Sequence, residues 1–245
     1  MILEVCTDTL ASSTIAERAG ADRIELCADL CVGGTTPSAG LIKQVKEQVA
    51  IPIAVMIRPR AGDFCYSDAE LQTMKADILF AKECGAESVV FGVLTPEGHI
   101  DKTSMAELIE LSRPMEVACH RAFDMTKDAY HSLETLIELG VDRLLTGGFA
   151  NKAPEGIQTI KSLVEHSNGK IAIMPGSGIN VENLPHFIEV TGATEYHLSG
   201  KHAIESLMIY RKEGISMGAA SNNEYLIEQA DYCKIHEIAA LLKDS

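Results

Sequence analysis

Ionisable and thiol side chains recur at alternate positions of short apolar segments, where a strand buried on both faces would normally be aliphatic. The inward positions are Glu4, Cys6, Glu25, Cys27, Met56, Arg58, Arg60, Glu116, Ala118, His120, His197 and Ser199, with Arg121 and Asp124 just beyond the fifth segment. All of them except Met56, Ala118 and Ser199 are ionisable or carry a thiol. Because successive side chains of a strand point to opposite faces, these residues would share the interior of a closed sheet. A barrel interior is normally filled by Val, Ile and Leu, so the ionisable residues predict a functional site inside the barrel.

Charges in such an interior predict an ion-paired network, since an unpaired buried charge is energetically costly. We expect one hydrogen-bonded network that joins Glu4, Glu25, Arg58, Arg60 and His120. An active site at the carboxyl ends of the strands is the favoured interpretation, because the polar residues concentrate at strand ends. The alternative is a layer of ion pairs that closes the barrel without any chemistry.

Proton transfer and anion binding are the reactions that these residue types can support. Glu25, His120 and Asp124 are the candidate catalytic residues, acting as general acids or bases. Arg58 and Arg60 would hold an anionic group of the substrate, because a guanidinium matches carboxylate and phosphate geometry.

A glycine-rich turn follows the seventh apolar segment, in the sequence Pro175-Gly176-Ser177-Gly178-Ile179-Asn180. Gly176, Ser177 and Gly178 would leave backbone N–H groups free for a phosphate or another oxyanion. Ser199, after the eighth segment, would complete the cup. The alternative is an ordinary glycine-rich turn that binds no ligand.

Three cysteines permit a metal site in the same region. Cys6 and Cys27 would end adjacent strands, and Cys31 lies in the following loop. Thiolates in a two- or three-coordinate cluster are suited to Cu(I). Against this hypothesis, the chain has no CxxC spacing, and a free cysteine commonly packs as a small hydrophobic residue.

The elements that would position these groups alternate between strands and helices, which predicts βαβ units and a parallel sheet. The predicted strands are Ile2–Cys6, Arg23–Leu26, Ile53–Ile57, Ser88–Val93, Met115–His120, Arg143–Thr146, Ile171–Met174 and Glu195–Ser199. Helical periodicity separates them, and Ser67 with Glu70 predicts a capping box before one helix.

Four helix-to-strand turns share a glycine in the position that ends a helix, namely Gly20, Gly85, Gly140 and Gly192. Eight such units in about 200 residues predict a (β/α)8 TIM barrel in a single domain, residues 1–245. An open doubly wound sheet is the alternative, but its glycine-rich first turn is missing from the sequence. Residues 203–223 are predicted as a long loop after strand eight, and residues 224–243 as the final helix.

Composition excludes several classes of protein. With 21 basic and 35 acidic residues the formal net charge is −14, which argues against binding nucleic acid. Seven scattered cysteines do not indicate a disulfide framework. The first residues do not resemble a signal peptide, and no apolar run approaches the roughly 18 residues of a membrane span. We therefore expect a cytoplasmic protein without a membrane partner.

Six segments of the chain have distinctive sequences: Glu4-Val5-Cys6, Gly33–Ser38, Ile57–Phe64, His120–Asp124, Gly140–Thr146 and Gly176-Ser177-Gly178. Together and in this order they resemble the CutC family of copper homeostasis proteins. The resemblance extends over about residues 1–202. It implies a TIM barrel, a cytoplasmic location, a homodimer, and a role in copper tolerance through Cu(I) binding.

Two functional hypotheses therefore stand side by side. In the first, the protein is a copper homeostasis protein that binds Cu(I) through Cys6, Cys27 and Cys31. In the second, it is a barrel enzyme acting on a small anionic metabolite, with or without a phosphate. A non-catalytic scaffold, with a self-paired mouth, is a third hypothesis.

Overall fold

Eight parallel strands form the barrel, as the sequence predicts. The computed structural model describes residues 1–215, 217 and 223–244. The strands are β1 (Ile2–Thr7), β2 (Arg23–Leu26), β3 (Ile53–Met56), β4 (Ser88–Phe91), β5 (Glu116–Cys119), β6 (Arg143–Thr146), β7 (Ala172–Pro175) and β8 (Glu195–Leu198). The hydrogen-bonded order runs from β7 down to β1 and then to β8. The (β/α)8 TIM barrel is therefore confirmed, and the open doubly wound alternative is excluded.

Eight helices surround the strands in the part of the chain that the structure describes. They are α1 (Leu10–Ala19), α2 (Ala39–Gln48), α3 (Asp68–Glu83), α4 (Lys102–Ser112), α5 (Ala129–Glu138), α6 (Ile157–Ser167), α7 (Leu184–Thr191) and α8 (Tyr232–Asp244). The capping box of Ser67 and Glu70 begins α3, as predicted. All four predicted turn glycines have positive φ, the left-handed conformation that glycine adopts without steric cost. No helix in the described part of the chain is both long enough and apolar enough to span a membrane.

The apolar core has two layers because strand side chains alternate. Leu3, Val5, Ile24 and Leu26 point outward and pack among the buried residues between the strands and the helices. A much smaller cluster occupies the inside of the barrel and consists of Cys27, Ala54, Met56, Val90 and Ala118. The interior therefore has few aliphatic side chains, and polar groups fill the remaining positions.

A buried ion-pair network crosses the lower part of the barrel, near the amino ends of the strands. Arg23 donates to Glu4 at 2.6 Å and to Glu195 at 2.5 Å. Arg143 donates to Glu195 at 2.8 Å and to Glu116 at 2.7 Å. These arginines lie at the first positions of β2 and β6, and their partners lie on β1, β5 and β8, so the network links five strands across the interior.

The single network predicted for Glu4, Glu25, Arg58, Arg60 and His120 is wrong. Among the described residues, Glu4 pairs with Arg23 and His197, whereas Arg58 donates only to backbone carbonyls and Arg60 pairs with carboxylates outside the barrel. The two groups separate because Glu4 lies low in the barrel and Glu25 faces His197, whereas Arg58 and Arg60 follow the end of β3 and belong to its loop.

The segment after β8 also differs from the prediction. Instead of a loop over 203–223 and a helix over 224–243, β9 (Lys201–Glu205) and β10 (Leu226–Ala230) form an antiparallel hairpin. Helix α8 begins only at Tyr232. Ala230 N–H donates to Ser12 Oγ at 3.1 Å, which fixes the hairpin to α1. Residues 216 and 218–222 of the predicted loop lie outside the described residues.

Replacing Arg23 by methionine should destabilise the barrel strongly. The change leaves the carboxylates of Glu4 and Glu195 buried without Arg23, a loss of about 3–5 kcal/mol in the free energy of unfolding. The matched control is Lys102→Met, which removes an exposed pair with Glu138 and should change the free energy of unfolding far less. Urea-induced unfolding at pH 7 measures both values. Equal losses in the two variants would contradict the assigned role of Arg23.

Candidate functional site

A cavity of about 460 Å³ opens at the carboxyl ends of the strands, which is the functional face of a (β/α)8 barrel. Its volume lies within the range of small-molecule pockets. Cys6, Glu25 and His197 form its base, and Arg58 and His120 border one side. The loops that follow β7 and β8 border the other side. We call this cavity the mouth.

A thiol, a carboxyl group and an imidazole meet at the base of the mouth. One ligand atom from each of Cys6, Glu25 and His197 lies within 4.8 Å of the other two. Strand register produces this meeting, because Cys6 on β1 is level with Glu25 on β2, and Glu4 on β1 is level with His197 on β8. Cys27 follows on β2, with its Sγ 3.5 Å from Glu25 Oε2.

Glu4 determines the orientation of the His197 ring. The distance from His197 Nδ1 to Glu4 Oε1 is 2.8 Å, and Arg23 holds the other oxygen of the same carboxylate. Burial raises the pKa of Glu4, but His197 and Arg23 outweigh burial and lower that pKa to about 2. Since an ionised carboxylate only accepts hydrogen bonds, Nδ1 must donate. Nε2 is therefore left on the mouth side of the ring, 3.9 Å from Glu25 Oε2.

The protonation of the cluster follows from burial and from neighbouring charge. Burial lowers the pKa of His197, but Glu25 and the other acidic neighbours outweigh it and raise the pKa well above its usual value. Burial raises the pKa of Glu25, and burial together with Glu25 raises the pKa of the Cys27 thiol. Glu25 Oε1 is buried and has no hydrogen-bond partner among the described residues.

His120 presents a neutral ring to the mouth. Its Nδ1 accepts a hydrogen bond from Ala122 N–H at 3.2 Å, so in the neutral ring the proton resides on Nε2. Burial and the charge of Arg58 lower the pKa of His120 to about 3. The ring packs on Phe64 at a centroid distance of 4.8 Å. Within residues 1–215, 217 and 223–244, nothing accepts a hydrogen bond from the buried Nε2.

Arg58 is a buried cation that pairs with no carboxylate of the described chain. Its Nη1 donates to the carbonyls of Val32 at 2.9 Å and Gly34 at 2.7 Å, and its Nη2 donates to Gly62 at 3.0 Å. Its Nε is buried without a described partner. Carbonyl oxygens satisfy the donors without neutralising the charge, so the positive charge remains available to an anion.

Arg60 and Asp124, two further predicted site residues, have their polar groups engaged elsewhere. Arg60 donates to Glu70 at 2.5 Å and to Asp63 at 3.0 Å, beside a separate surface groove. The carboxylate oxygens of Asp124 accept from Arg121, from Thr146 Oγ1 and from the amides of the β6 loop. The structure therefore does not bring Arg60 to the mouth, and Asp124 holds the β6 loop together.

The glycine-rich turn lies at the mouth where the sequence predicts it. Ser177, Gly178 and Ser199 border the cavity. Gly176 packs beneath the turn, where a Cβ would lie 2.5 Å from Leu145 Cδ1, so the Leu145 side chain would have to move for any larger residue. Ser177 has a φ of 75°, and two bonds hold it there: Ala153 N–H donates to its carbonyl at 2.8 Å and its Oγ donates to the Asn151 carbonyl at 2.9 Å.

The predicted cysteine trio is only partly assembled. Cys6 and Cys27 both adjoin Glu25 at the base of the mouth, but Cys31 is exposed in a 3-10 turn beside the separate groove. His197 takes the third position in the cluster. Sequence reasoning assigned His197 to the interior without giving it a role, and it missed Arg23, Arg143 and Glu195 entirely. The alternation of strand side chains could have identified them. It places Glu25 and His197 inside the barrel, and it also places Arg23 and Glu195, each two residues earlier, inside.

Comparison with known proteins gives consistent relatives over nearly the whole chain. The sequence model of the CutC family matches residues 1–202. A mouse protein named copper homeostasis protein cutC homolog is 48% identical over 244 residues, covering 99% of this chain and 90% of its own. A CutC family protein of Parabacteroides distasonis is 45% identical over 236 residues, which is 96% of this chain and 97% of its own.

Solved structures agree with the fold. The crystal structure of the CutC protein of Streptococcus agalactiae superposes with a TM-score of 0.78 at 38% identity, covering 81% of this chain and 98% of that one. A phosphoribosylanthranilate isomerase of Pyrococcus furiosus has a TM-score of 0.59 at 16% identity and covers 100% of both chains. At that identity the isomerase shares the barrel fold only.

His120 should remain neutral throughout the physiological range of pH. With its pKa at about 3, its ring nitrogens should give the signals of the neutral Nε2-protonated form at every pH from 5 to 8. Long-range ¹H–¹⁵N NMR spectra, assigned with a His120→Gln variant, measure this. The control is the urea-denatured protein, in which the imidazoles should titrate near their reference pKa of about 6.5.

The same shift affects stability. The unfolded chain binds a proton at His120 more readily than the folded chain does. The contribution of the neutral His120 ring to the free energy of unfolding is therefore full above about pH 6.5 and is lost as the pH falls toward 3. Replacement of His120 by glutamine should therefore reduce the loss of stability on acidification. A His120 ring that gains a proton between pH 5 and 8 in the folded protein would contradict the assignment.

Proposed function

The chain belongs to the CutC family, and on that premise we propose that it acts in copper homeostasis by binding Cu(I) at the base of the mouth. Cys6, Cys27 and His197 would be the ligands. The observation that carries the proposal is the convergence of the Cys6 thiol, the His197 imidazole and Glu25 within 4.8 Å.

The donor set fits a soft cation. Two thiolates and an imidazole are ligands that Cu(I) accepts at low coordination number, whereas carboxylate oxygens suit harder cations. Binding requires the Cys6 and Cys27 thiols and His197 Nε2 to give up their protons. Glu25, 3.5 Å from Cys27 Sγ and 3.9 Å from His197 Nε2, would pass these protons to the solvent in the mouth. Glu25 Oε1, buried and unpaired in the described chain, fits a role beside the metal better than a purely structural role.

Glu4 and Arg23 would act as supports of the ligand set. The carboxylate of Glu4 fixes the tautomer and the angle of the His197 ring, as outer partners of ligating histidines commonly do. Arg23 in turn holds Glu4. The ion-pair network of the lower barrel therefore supports the metal site directly.

We also propose a cytoplasmic location and a homodimer, in line with the family resemblance. A reducing compartment keeps thiols such as Cys6 and Cys27 available for Cu(I). Leu207 and Ile209, on the hairpin segment after β9, are each 98% exposed. Exposed apolar side chains that lie together fit a contact with a second copy of the chain. Light scattering of the purified protein measures the oligomeric state.

Loss of the two buried thiols should abolish tight Cu(I) binding. The Cys6→Ser, Cys27→Ser double variant should bind Cu(I) at least about a hundredfold more weakly, because two of three soft donors are removed. Glu4→Gln, which leaves the ligands in place, should weaken binding by about 10–100-fold. Competition with a chromophoric Cu(I) chelator under anaerobic conditions measures these affinities.

The matched control for the thiols is a Cys31→Ser, Cys233→Ser double variant, because both of these cysteines are exposed and neither belongs to the cluster. It should retain the Cu(I) affinity of the unaltered protein. Circular dichroism of each variant verifies the fold. Unchanged Cu(I) affinity in the Cys6→Ser, Cys27→Ser protein would refute the proposed site.

An enzyme acting on a small anionic metabolite is the second candidate, and the specific observation in its favour is His120. Its Nε2–H is a buried donor with no acceptor in the described chain, and Arg58 beside it has an uncompensated charge. A neutral imidazole donor next to a guanidinium can polarise a carbonyl or hold a carboxylate. Glu25, with one free oxygen on the mouth, would be the general acid or base.

Removal of the His120 donor should weaken binding of small carboxylates. We expect glycolate to perturb the NMR spectrum of the protein around Arg58 and His120, and His120→Phe to weaken its binding at least about fivefold by loss of one charge-assisted hydrogen bond. The matched control is His131→Phe, which alters an exposed ring on α5. A screen of small carboxylates against Arg58→Ala and the unaltered protein tests the same hypothesis. If no carboxylate binds the two proteins with different affinity, the result counts against the enzyme hypothesis.

A further inference from the structure

The turn that follows β7 offers backbone donors to the mouth. The amides of Ser177, Gly178 and Ile179 donate to no carbonyl or side chain of the described residues. All three residues border the cavity. Successive unpaired amides at a sharp turn form a concave region of positive potential that suits an anion.

The loop after β8 adds to the same edge of the mouth. Ser199 borders the cavity next to the glycine-rich turn, and neither its amide nor its hydroxyl bonds to a described residue. Lys201 also borders the cavity, and its ammonium pairs with Glu228 on β10. In (β/α)8 barrels these two loops are the place where phosphate groups are commonly held.

A second and independent observation lies across the mouth. His120 Nε2 and Arg58 Nε are polar atoms of side chains that are 4% and 5% exposed, and neither has a partner in the described chain. Both residues border the same cavity as the turn. Because buried donors are nearly always satisfied, these two predict an acceptor that comes with the ligand. The mouth therefore offers donors at two opposite edges.

We propose that the mouth binds a small phosphomonoester whose phosphate accepts hydrogen bonds from the amides of Ser177, Gly178 and Ile179 and from Ser199. A carboxylate or carbonyl oxygen at the other end of the ligand accepts from His120 Nε2–H. This inference rests on the second candidate function and names its substrate class. It is separate from the copper site, because no residue of the phosphate subsite has a soft donor atom.

A phosphate group fits the turn better than a carboxylate does. Its tetrahedral arrangement of oxygens can accept from several amides and a hydroxyl together, whereas a carboxylate presents two oxygens in one plane. The acidic exterior, with a net charge of −14, and the limited volume of about 460 Å³ exclude long polyanions. The ligand is therefore a small molecule with a single phosphate.

Three probes separate the two edges of the mouth: inorganic phosphate, glycolate and 2-phosphoglycolate, which combines both groups. Binding of each is measured by NMR titration of the full chain at pH 7.5. We expect 2-phosphoglycolate to bind at least about tenfold more tightly than glycolate, because the phosphate adds several charge-assisted hydrogen bonds. Equal affinities for glycolate and 2-phosphoglycolate, or no binding of any phosphate-bearing probe, would overturn the inference.

Variants at Ser199 test the location. Ser199→Asp places a negative charge at the turn and should weaken phosphate and 2-phosphoglycolate binding at least about tenfold, with glycolate little affected. Ser199→Asn is the matched uncharged control and should weaken them much less. Both variants should retain Cu(I) affinity, which verifies that the barrel has folded. Equal effects of Ser199→Asp and Ser199→Asn on the phosphate probes would overturn the location.

The outcomes also separate this inference from the function on which it rests. In one outcome, glycolate binding depends on His120 while 2-phosphoglycolate binds no more tightly than glycolate. That result would support the second candidate function and contradict the phosphate subsite. If neither glycolate nor either phosphate probe binds, both the second candidate function and the phosphate subsite are contradicted.

Discussion

The buried contact between Arg23 and Glu4 is the constraint on which the rest of the barrel interior depends. It neutralises two charges that could not remain in the interior alone, and it directs the second oxygen of Glu4 toward His197. The His197 ring is fixed as a result, with Nε2 beside Cys6 and Glu25. A structural ion pair of the lower barrel thus determines the geometry of the chemical groups one layer above it.

The interior is divided into two levels that differ in how their charges are paired. In the lower level, Arg23 and Arg143 bind carboxylates from three strands, so each of these charges has a counterpart, although Arg143 Nη1 has no described partner. In the upper level, Glu25, Arg58 and His120 each keep one buried polar atom without a described partner. The paired charges of the lower level can therefore hold the shape of the barrel while these polar atoms at the mouth stay without a described partner.

Sequence reasoning predicted the barrel, the inward-facing residues and the glycine-rich turn, because strand alternation and turn chemistry are local properties. It failed wherever the outcome depended on which atoms meet in space. Arg58 and Arg60 have the parity of interior residues, yet they follow the end of β3, where the loop carbonyls and α3 are nearer than the barrel carboxylates. Cys31 is predicted as a ligand because it lies in the loop that follows Cys27, and the hairpin after β8 escapes prediction because its strands are largely exposed.

The three carbonyl contacts of Arg58 affect the entropy cost of binding an anion at this side chain. Val32 and Gly34 belong to the β2 loop and Gly62 to the β3 loop, so one guanidinium joins two loops and is itself immobilised by them. Folding has already removed the rotamer entropy of this long side chain, and a ligand that accepts from Nε would not have to order it again. Backbone positions that never touch a ligand would then influence how tightly it is held.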